Sequence, residues 1–244
     1  MIIHVYTMCY NEEILMPYFL RHYSQFADKI FIFDNHSTDE TSKIADACPK
    51  VHRVVYGDPN KFYDSHLIKM KNEEYKKSRG VADWVVVVDV DEILYHNDII
   101  SLLKQYKDSG IIFPKVSGYD MIGDVYPSSE FQIYDEIKCG IPDKMYCKRA
   151  VFNPSVDINY VVGAHKCSPR GPVVESLSAD IKLLHYRFLC KEFFVNNMKR
   201  RSARLSDENI KRGWSFLRLK PNDTIDGWST RTYEERKKNR IKIV

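Results

Sequence analysis

Three carboxylates directly follow an apolar run in this sequence. The run spans residues 84–88, and the acids are Asp89, Asp91 and Glu92. Consecutive bulky apolar residues predict a strand buried on both faces, as in the middle of a parallel sheet. Since a core cannot hold unpaired charges, the acids must lie where this strand leaves the sheet. Asp89 and Asp91 start on the same side of an extended chain, where their oxygens could bind Mn²⁺ or Mg²⁺.

Polar side chains also follow the first two predicted strands. Residues 7–11 follow the strand at 2–6, and Asp34 follows the strand at 29–33. The carboxyl ends of parallel strands form the edge of an open α/β sheet at which ligands bind. Such an edge suits a nucleotide, with one acid on the base or ribose and a metal on the diphosphate. The sequence has neither G-x-G-x-x-G nor G-x-x-x-x-G-K-[ST], which argues against dinucleotide and P-loop chemistry.

The hydrophobic pattern places these motifs on alternating strands and helices. Strands are predicted at residues 2–6, 29–33, 51–56, 84–88 and 111–113, and helices at 14–23, 37–47, 64–80 and 97–106. Asn11 is expected to cap the first helix, and Ser37 with Glu40 to form a capping box on the second. This alternation predicts an α/β fold with a mostly parallel sheet.

The pattern of predicted strands and helices changes after about residue 116. Short β-like segments are predicted at residues 144–152, 160–162 and 181–186, followed by a helix at 191–204. The tail from residue 207 is polar and basic, with Trp214 and Trp228 as isolated anchors. We therefore expect a mixed region and C-terminal helices after the parallel sheet.

Composition fits one large globular α/β domain. The 244 residues are 44% hydrophobic and 29% charged, and the net charge of +4 is too small to indicate nucleic acid. The six cysteines are scattered, which argues against a zinc site and favours reduced thiols in the cytoplasm. No run reaches the roughly 20 apolar residues of a membrane span. We expect a soluble, cytoplasmic protein, which can still be one piece of a longer chain.

Two histidines in the second half are candidate ligands. His185 ends an apolar run as Asp89 does, so it could face the same cleft, and His165 is the alternative. Taken alone, each is better explained by an imidazole satisfied by a local hydrogen bond. Cations that could neutralise a diphosphate, or could simply be solvated, are Lys144, Lys166 and Arg170.

Five segments occur in a distinctive order and spacing. They are Tyr-Asn-Glu-Glu at residues 10–13, Asp-Asn-His-Ser-Thr-Asp at 34–39, Ala-Asp-Trp at 82–84 leading into 89–92, Val-Gly-Ala-His-Lys at 162–166 and Leu-His-Tyr at 184–186. The first three resemble the family 2-like glycosyltransferases with the GT-A fold. The last two are similar to the second halves of one branch, which contains bacterial and viral sugar transferases. The resemblance spans roughly residues 2–205.

The resemblance implies a domain organisation and an activity. A GT-A domain would cover residues 1–205, with a nucleotide-sugar-binding half at 1–116, an acceptor half at 117–205 and a basic helical tail at 206–244. The enzyme would use Mn²⁺ or Mg²⁺ to move a sugar from a UDP-, GDP- or dTDP-linked donor to a hydroxyl of a glycan or lipid-linked acceptor. Inversion at the anomeric carbon is expected from the resemblance alone.

The resemblance also implies roles for individual residues. Asp34 would contact the base or ribose near the Thr7 backbone, Asp89 would hold the ribose or the metal, and Asp91 would ligate the metal. His185, in preference to His165, would complete the metal shell. The full set of predicted donor-binding residues is Thr7, Asn11, Glu12, Asp34, Asp89, Lys144, His165 and Lys166.

The catalytic base stays open at this point. In the inverting mechanism a carboxylate takes the proton from the acceptor hydroxyl. The candidates are Asp135, Glu136, Asp143 and Asp157. Glu136 and Asp143 are preferred.

Three other classes of function compete with this hypothesis. A nucleotidyltransferase acting on sugar phosphates also uses a metal-binding acid pair, but its Gly-rich basic loop is missing after the first strand. A non-catalytic nucleotide- or glycan-binding module is the second. The third uses the basic residues 199–201 and 236–240 as a nucleic-acid or membrane surface. Because acids alternate with these basic residues, nucleic acid is not expected, while a peripheral membrane contact of the tail is kept as an alternative.

Overall fold

The computed structural model describes residues 1–214 and 223–244, and within them ten strands form two sheets flanked by helices. The strands are β1 (Ile3–Cys9), β2 (Lys29–Asp34), β3 (Val51–Val55), β4 (Trp84–Val87), β5 (Glu92–Tyr95), β6 (Val116–Ile122), β7 (Cys139–Pro142), β8 (Val151–Phe152), β9 (Ile181–Phe188) and β10 (Ile241–Lys242). The helices are α1 (Met16–Tyr23), α2 (Thr41–Asp46), α3 (Asp64–Glu73), α4 (Ile99–Asp108), α5 (Ile133–Glu136), α6 (Lys191–Ala203), α7 (Asp207–Arg212) and α8 (Ile225–Lys238). Two 3₁₀ turns span Glu74–Ser78 and Lys144–Tyr146.

The first sheet has the strand order β3-β2-β1-β4-β8. β1 to β4 run parallel, and the short β8 adds an antiparallel edge. The second sheet, β10-β7-β6-β9-β5, is mixed. β6 runs parallel to β9, whereas β5 is antiparallel to β9 and β7 is antiparallel to β6. The predicted α/β fold class, with a mostly parallel sheet and a mixed region, is confirmed.

β4 is buried on both faces, as its sequence predicts. Trp84 and Val86 lie in the larger hydrophobic cluster, which includes residues of α1, while Val85 and Val87 lie in a second cluster on the opposite face. None of the four is more than 2% exposed. Burying a side chain of this size contributes about 1.5–3 kcal/mol, so β4 is a main source of stability for the first sheet.

Residues 88–91 carry the chain from the first sheet to the second. The Val88 N–H still donates to β1, and the Glu92 N–H then closes a turn on the Asp89 carbonyl at 3.0 Å. β5 follows and pairs with β9 in the second sheet. Asp89 and Asp91 therefore lie at the carboxyl end of β4, as predicted, and at the junction of the two sheets.

The predicted caps of the first two helices are wrong. Asn11 adopts φ +52° and, instead of capping α1, its Oδ1 accepts from the Thr38 N–H at 2.7 Å. The Ser37 hydroxyl accepts from the Asn11 N–H at 3.0 Å, so no capping box forms and α2 begins only at Thr41. These polar side chains tie the loop after β1 to the loop after β2, a long-range contact that capping rules do not anticipate.

Several predicted elements change length or type. Residues 111–113 form no strand and make an isolated bridge from Phe113 to Glu175. The segment 160–162 likewise makes only the Tyr160–Cys167 bridge. The segment 144–152 divides into a 3₁₀ turn and β8, and the helix predicted for 64–80 divides into α3 and a 3₁₀ turn. These segments rely on the neighbouring sheets rather than on their own periodicity.

The predicted helix at 191–204 is confirmed as α6, and α7 and α8 follow it in the tail. Residues 215–222 of the predicted helical tail lie outside the described residues. Much of the basic charge of residues 199–201 and 236–240 is used within the chain, since Lys237 and Arg240 pair with Asp124 and Lys199 pairs with Asp226. Among residues 1–214 and 223–244, no helix has both the length and the apolar character needed to cross a membrane.

The buried His22 predicts an acid-dependent loss of stability. Burial lowers the pKa of His22 from 6.5 to about 4, although its ring bonds the Leu94 carbonyl at 3.1 Å. As pH falls from 6.5 towards 4, the unfolded chain takes up this proton before the folded one. The contribution of His22 is therefore complete above pH 6.5 and is lost towards pH 4, amounting to up to about 3 kcal/mol.

Urea unfolding at a series of pH values checks this expectation. His22→Gln should lose less unfolding free energy between pH 6.5 and 4 than the wild type does. His52→Gln, which removes an exposed histidine, is the matched control and should follow the wild type. Parallel curves for all three proteins would contradict the assignment.

Candidate functional site

Strand register brings three residues together at the sheet junction. β9 places His185 opposite Glu92, and β6 places Asp120 opposite His185. His185 Nε2 lies 3.1 Å from Asp91 Oδ2, and its Nδ1 lies 2.8 Å from Asp120 Oδ1. Asp120 is fully buried, His185 is nearly so, and the Asp91 side chain keeps 17% of its surface exposed. The pairing predicted between the β4 acids and His185 is thus present for Asp91.

The two carboxylates make the imidazole basic. Burial alone would lower the pKa of His185, but the stacked Tyr146 and the carboxylates Asp91 and Asp120 raise it well above its usual value. In turn, His185 outweighs burial and lowers the pKa of Asp91 and that of Asp120. Without a metal, His185 is therefore protonated, and its two N–H groups donate to the two carboxylates.

Tyr146 covers the face of this imidazole. Its ring stacks on His185 with centroids 4.0 Å apart and planes at 28°. The close approach depends on Gly118 of β6, because a Cβ there would lie 2.1 Å from the Tyr146 carbonyl carbon. Any larger residue at 118 would displace Tyr146 and uncover His185.

Two buried lysines bind Asp89. Lys71 Nζ lies 2.6 Å from Oδ1, and Lys148 Nζ lies 3.4 Å from Oδ2 and 2.5 Å from Glu92. Both ammonium groups are at most 2% exposed, while 37% of the Asp89 side chain faces solvent. Burial opposes the charge on Asp89, but the lysines lower the pKa of Asp89 far below its usual range. Asp89 therefore stays charged with a lysine at each oxygen.

The loop after β1 contributes a further carboxylate. Arg200 of α6 donates to the Asn11 carbonyl and lies 3.1 Å from Glu12 Oε1. Burial, opposed by Arg200 and assisted by nearby Asp91, raises the pKa of Glu12 to about 8. The predicted residues Asn11 and Glu12 thus lie on the same side of the junction as Asp91.

Asp34 and Thr7 are enclosed by their own surroundings. Asp34 is 1% exposed, and its oxygens accept from the Ser37 N–H at 2.8 Å, from the Ser42 hydroxyl at 2.6 Å and from Arg53 at 3.2 Å. The Thr7 side chain is fully buried. Both residues shape the loops at the edge of the first sheet, and their predicted contact with a nucleotide stays a prediction.

The predicted donor-binding residues of the second half are more exposed. His165 is half-buried, its Nδ1 lies 3.1 Å from the Met145 carbonyl, and its ring meets the edge of Tyr146. Burial, with Lys148 nearby, lowers the pKa of His165 to about 4, so its imidazole is neutral. Lys144 and Lys166 are exposed. His165 therefore contacts the tyrosine ring that covers His185.

The two preferred base candidates have different surroundings. Glu136 is exposed, and both its oxygens accept from the Ser128 N–H, at 3.1 and 3.0 Å. Asp143 starts the 3₁₀ turn that carries Tyr146 and lies 3.4 Å from Arg236. Of the other two candidates, Asp135 is exposed and Asp157 pairs with Arg79.

The residues around His185 fit a divalent cation. Asp91, Glu92 and His185 each offer a ligand atom, and these atoms lie within 4.8 Å of one another. Glu92 is fully buried and paired with Lys148, so Asp91 and His185 are the accessible pair. A metal-binding histidine usually donates its other N–H to a carboxylate, as Nδ1 of His185 does to Asp120. A carboxylate oxygen suits Mn²⁺ and Mg²⁺, and a neutral imidazole is a common ligand of metal ions in general.

The sequence predicts only part of this site. Missing from the predicted set are Lys71, Asp120, Tyr146, Lys148 and Arg236. One signal was available: β6 alternates, and Asp120 falls on the buried face with Val116 and Gly118. A charged residue on the buried face of a strand needs a partner, so Asp120 at this position indicates a cluster of polar groups.

No protein-family model and no curated protein matches the chain. Several solved structures are similar to it. The structure of TarS residues 1–349 from S. aureus has a TM-score of 0.46 and 13% identity, and the match covers 84% of this chain and 65% of that one. The same protein in complex with UDP-GlcNAc gives a TM-score of 0.46 at 12% identity, covering 84% and 66%.

A second protein of similar structure is glucosyl-3-phosphoglycerate synthase from Mycobacterium tuberculosis, in complex with Mn²⁺, UDP and glucosyl-3-phosphoglycerate. Its TM-score is 0.34 at 21% identity, and the match covers 49% of this chain and 44% of that one. The chain thus spans less than two thirds of the TarS 1–349 structure and less than half of the synthase. These likenesses are partial, and the function proposed below rests on this chain's own residues.

The lysine pair predicts a large cost for removing one ammonium group. Lys148→Met leaves Glu92 buried without its partner, and breaking a buried ion pair from one side costs about 3–5 kcal/mol. The free energy of unfolding in urea should fall by that amount. Lys144→Met replaces an exposed lysine four positions earlier, and it should change the free energy of unfolding by no more than about 0.5 kcal/mol.

A second variant isolates the cause of this loss. Adding Glu92→Gln to Lys148→Met removes the unpaired charge and should recover part of the lost stability. A loss below about 1 kcal/mol for Lys148→Met, the size of a surface ion pair, would show that Lys148 is not the buried partner described here.

Proposed function

We propose that this protein is a glycosyltransferase that moves a sugar from a nucleotide-sugar donor to a hydroxyl group of an acceptor. The observation that carries this proposal is the Asp91–His185 pair at the carboxyl end of β4, with Asp120 behind it. The pair belongs to motifs whose order and spacing resemble those of family 2-like glycosyltransferases. The acceptor would be a glycan or a lipid-linked sugar.

Asp91 and His185 would hold Mn²⁺ or Mg²⁺ through Oδ2 and Nε2. The bound cation supplies a Lewis acid for the negative charge that grows on the leaving nucleoside diphosphate. Asp120 accepts a hydrogen bond from the Nδ1–H of His185. The neutral imidazole then carries its lone pair on Nε2, where it can bind the cation. One carboxylate and one imidazole leave room for diphosphate oxygens and water, as is usual for Mg²⁺ bound together with phosphates.

Asp89 suits the ribose better than the metal. Each of its oxygens already faces an ammonium group, from Lys71 and from Lys148. Those two positive charges would repel a divalent cation at the same carboxylate. A ribose hydroxyl can instead donate to a remaining lone pair on the exposed side of Asp89. The donor's nucleotide would then lie along the loops of Asn11, Glu12 and Asp34, with His165, Lys144 and Lys166 towards the phosphates and sugar.

We assign the catalytic base to Asp143 ahead of Glu136. In an inverting transfer the base takes the acceptor proton as the hydroxyl attacks the anomeric carbon. Asp143 begins the turn whose Tyr146 ring covers His185, and part of its carboxylate is exposed. Both oxygens of Glu136 are instead engaged by the Ser128 backbone.

Two other functions use the same residues. A nucleotidyltransferase would consume a nucleoside triphosphate and a sugar phosphate and release pyrophosphate. A binding module would bind a nucleotide or glycan without turnover. Nucleotide and metal binding would be common to all three functions, so turnover has to separate them.

Thermal unfolding with a panel of ligands tests the proposal. UDP, GDP, dTDP and their sugar conjugates are each added with and without Mn²⁺. We expect one nucleotide to stabilise the protein only when Mn²⁺ is present, by about 2.7 kcal/mol at a hundred times its dissociation constant. Asp91→Asn should abolish the joint effect and nearly all sugar transfer, whereas Asp108→Asn, an exposed acid on α4, should change neither.

The products then decide the reaction. Release of a nucleoside diphosphate from the stabilising sugar nucleotide supports transfer, while pyrophosphate release from a triphosphate supports the nucleotidyltransferase. Binding with neither release supports the module. Full activity of Asp91→Asn, or of the wild type in excess EDTA, would contradict the metal-assisted transfer.

A further inference from the structure

A helix from the tail reaches the centre of the site. Arg236 of α8 donates from Nη1 to Asp120 Oδ2, while His185 Nδ1 lies 2.8 Å from Oδ1 of the same carboxylate. Asp120 is fully buried, so its orientation is set by these side chains and not by solvent. Arg236, Asp120, His185 and Asp91 form one continuous chain of hydrogen-bonded or ion-paired groups.

Asp120 needs a partner at its second oxygen. A carboxylate held at one oxygen alone can rotate about its side-chain torsion, and a buried oxygen without a partner is costly. Arg187 is the other nearby guanidinium, but its Nη2 lies 3.7 Å from Oδ2, beyond a hydrogen bond. Arg236 thus provides the hydrogen bond that fixes Asp120 from the side opposite His185.

α8 is attached to the second sheet independently of Arg236. The Tyr233 hydroxyl donates to the Gly123 carbonyl, and Lys237 pairs with Asp124 at 2.5 Å. Arg240, just after the helix, lies 2.7 Å from Asp124. The helix therefore has anchors at the loop after β6 that remain if Arg236 is replaced.

We propose that Arg236 is a positioning residue of the metal site. By fixing Asp120, it holds His185 with Nε2 directed at Asp91, so that α8 is part of the apparatus that binds the cation. This inference rests on the proposed function for the cation itself. It adds a residue 116 positions from Asp120 in sequence to a site that the motifs place in the first half and on β9.

The direction in which Mn²⁺ affinity changes when Arg236 is replaced distinguishes a positioning role from a purely electrostatic one. Arg236 is itself a cation close to a cation site, so its charge alone weakens metal binding. If charge were its whole contribution, removing it would tighten Mn²⁺ binding. If it positions His185 through Asp120, removing it weakens binding, by about 10- to 100-fold as is typical of groups that orient a metal ligand.

The dissociation constant for Mn²⁺ is measured by titration with Mn²⁺ alone, with the loss of the free-ion EPR signal as the readout. Arg236→Met should raise the dissociation constant at least tenfold. Arg240→Met removes a neighbouring arginine that also ties the tail to the β6 region, and it should bind Mn²⁺ as the wild type does. The double variant Asp120→Asn/Arg236→Met should bind no more weakly than Asp120→Asn, because Arg236 acts through Asp120.

Arg236→Lys provides a second readout if Arg236→Met folds poorly in thermal unfolding without metal. It keeps the positive charge but loses the forked pair of donors, so positioning predicts a smaller loss of affinity and electrostatics predicts none. Unchanged or tighter Mn²⁺ binding by folded Arg236→Met, or additive losses in the double variant, would overturn the role of Arg236 while leaving the metal site intact. Absence of Mn²⁺ binding by the wild type would overturn the metal site and this inference together.

Discussion

The balance of charge at the junction of the two sheets is the constraint on which the rest of this structure depends. Four carboxylates meet there, of which Glu92 and Asp120 are fully buried, and each has cationic or imidazole partners within hydrogen-bond or ion-pair distance. The acids are Asp89, Asp91, Glu92 and Asp120, and the partners are Lys71, Lys148, His185, Arg187 and Arg236. Glu92 and Asp120, which are fully buried, would each cost several kcal/mol without a partner, so the junction depends on the elements that carry their partners. The connection after β4, the second sheet, α3, α8 and the segment before β8 each supply at least one of these acids or partners.

The same balance divides the junction into two parts with different chemistry. Asp89 is paired with Lys71 and Lys148, and Glu92 is paired with Lys148. Asp91 and Asp120 face an imidazole, which can give up its proton and bind a cation in its place. The adjacent acids of the β4 motif thus differ in their partners, and this difference assigns the ribose to one and the metal to the other in the proposed function.

The sequence alone predicts the parts of this arrangement that local pattern controls. The apolar run of β4 requires a two-sided core, and the acids after it require a sheet edge. The same reasoning identifies His185, because it also ends an apolar run. Lys71 and Lys148 could not be found in this way, since a lysine on a helix or in a turn is solvated in most proteins and only tertiary contact buries it.

Other parts depend on contacts between residues far apart in the sequence. Asn11 has the composition of a helix cap, yet its side chain binds the loop after β2, because the parallel pairing of β1 and β2 brings the two loops together. Arg236 lies in a basic tail that resembles a solvated surface, and only the docking of α8 beside β6 directs it to Asp120. Capping rules and charge patterns cannot predict such long-range side-chain contacts.

The most direct measurement of the central claim is a pulsed ENDOR spectrum of Mn²⁺ bound with UDP to protein containing ¹⁵N-labelled histidine. The account predicts a ¹⁵N coupling from a directly bound imidazole together with a ³¹P coupling from the diphosphate, and loss of the ¹⁵N coupling in His185→Gln. A ³¹P coupling without any ¹⁵N coupling, or a ¹⁵N coupling that survives in His185→Gln, would contradict the Asp91–His185 metal site.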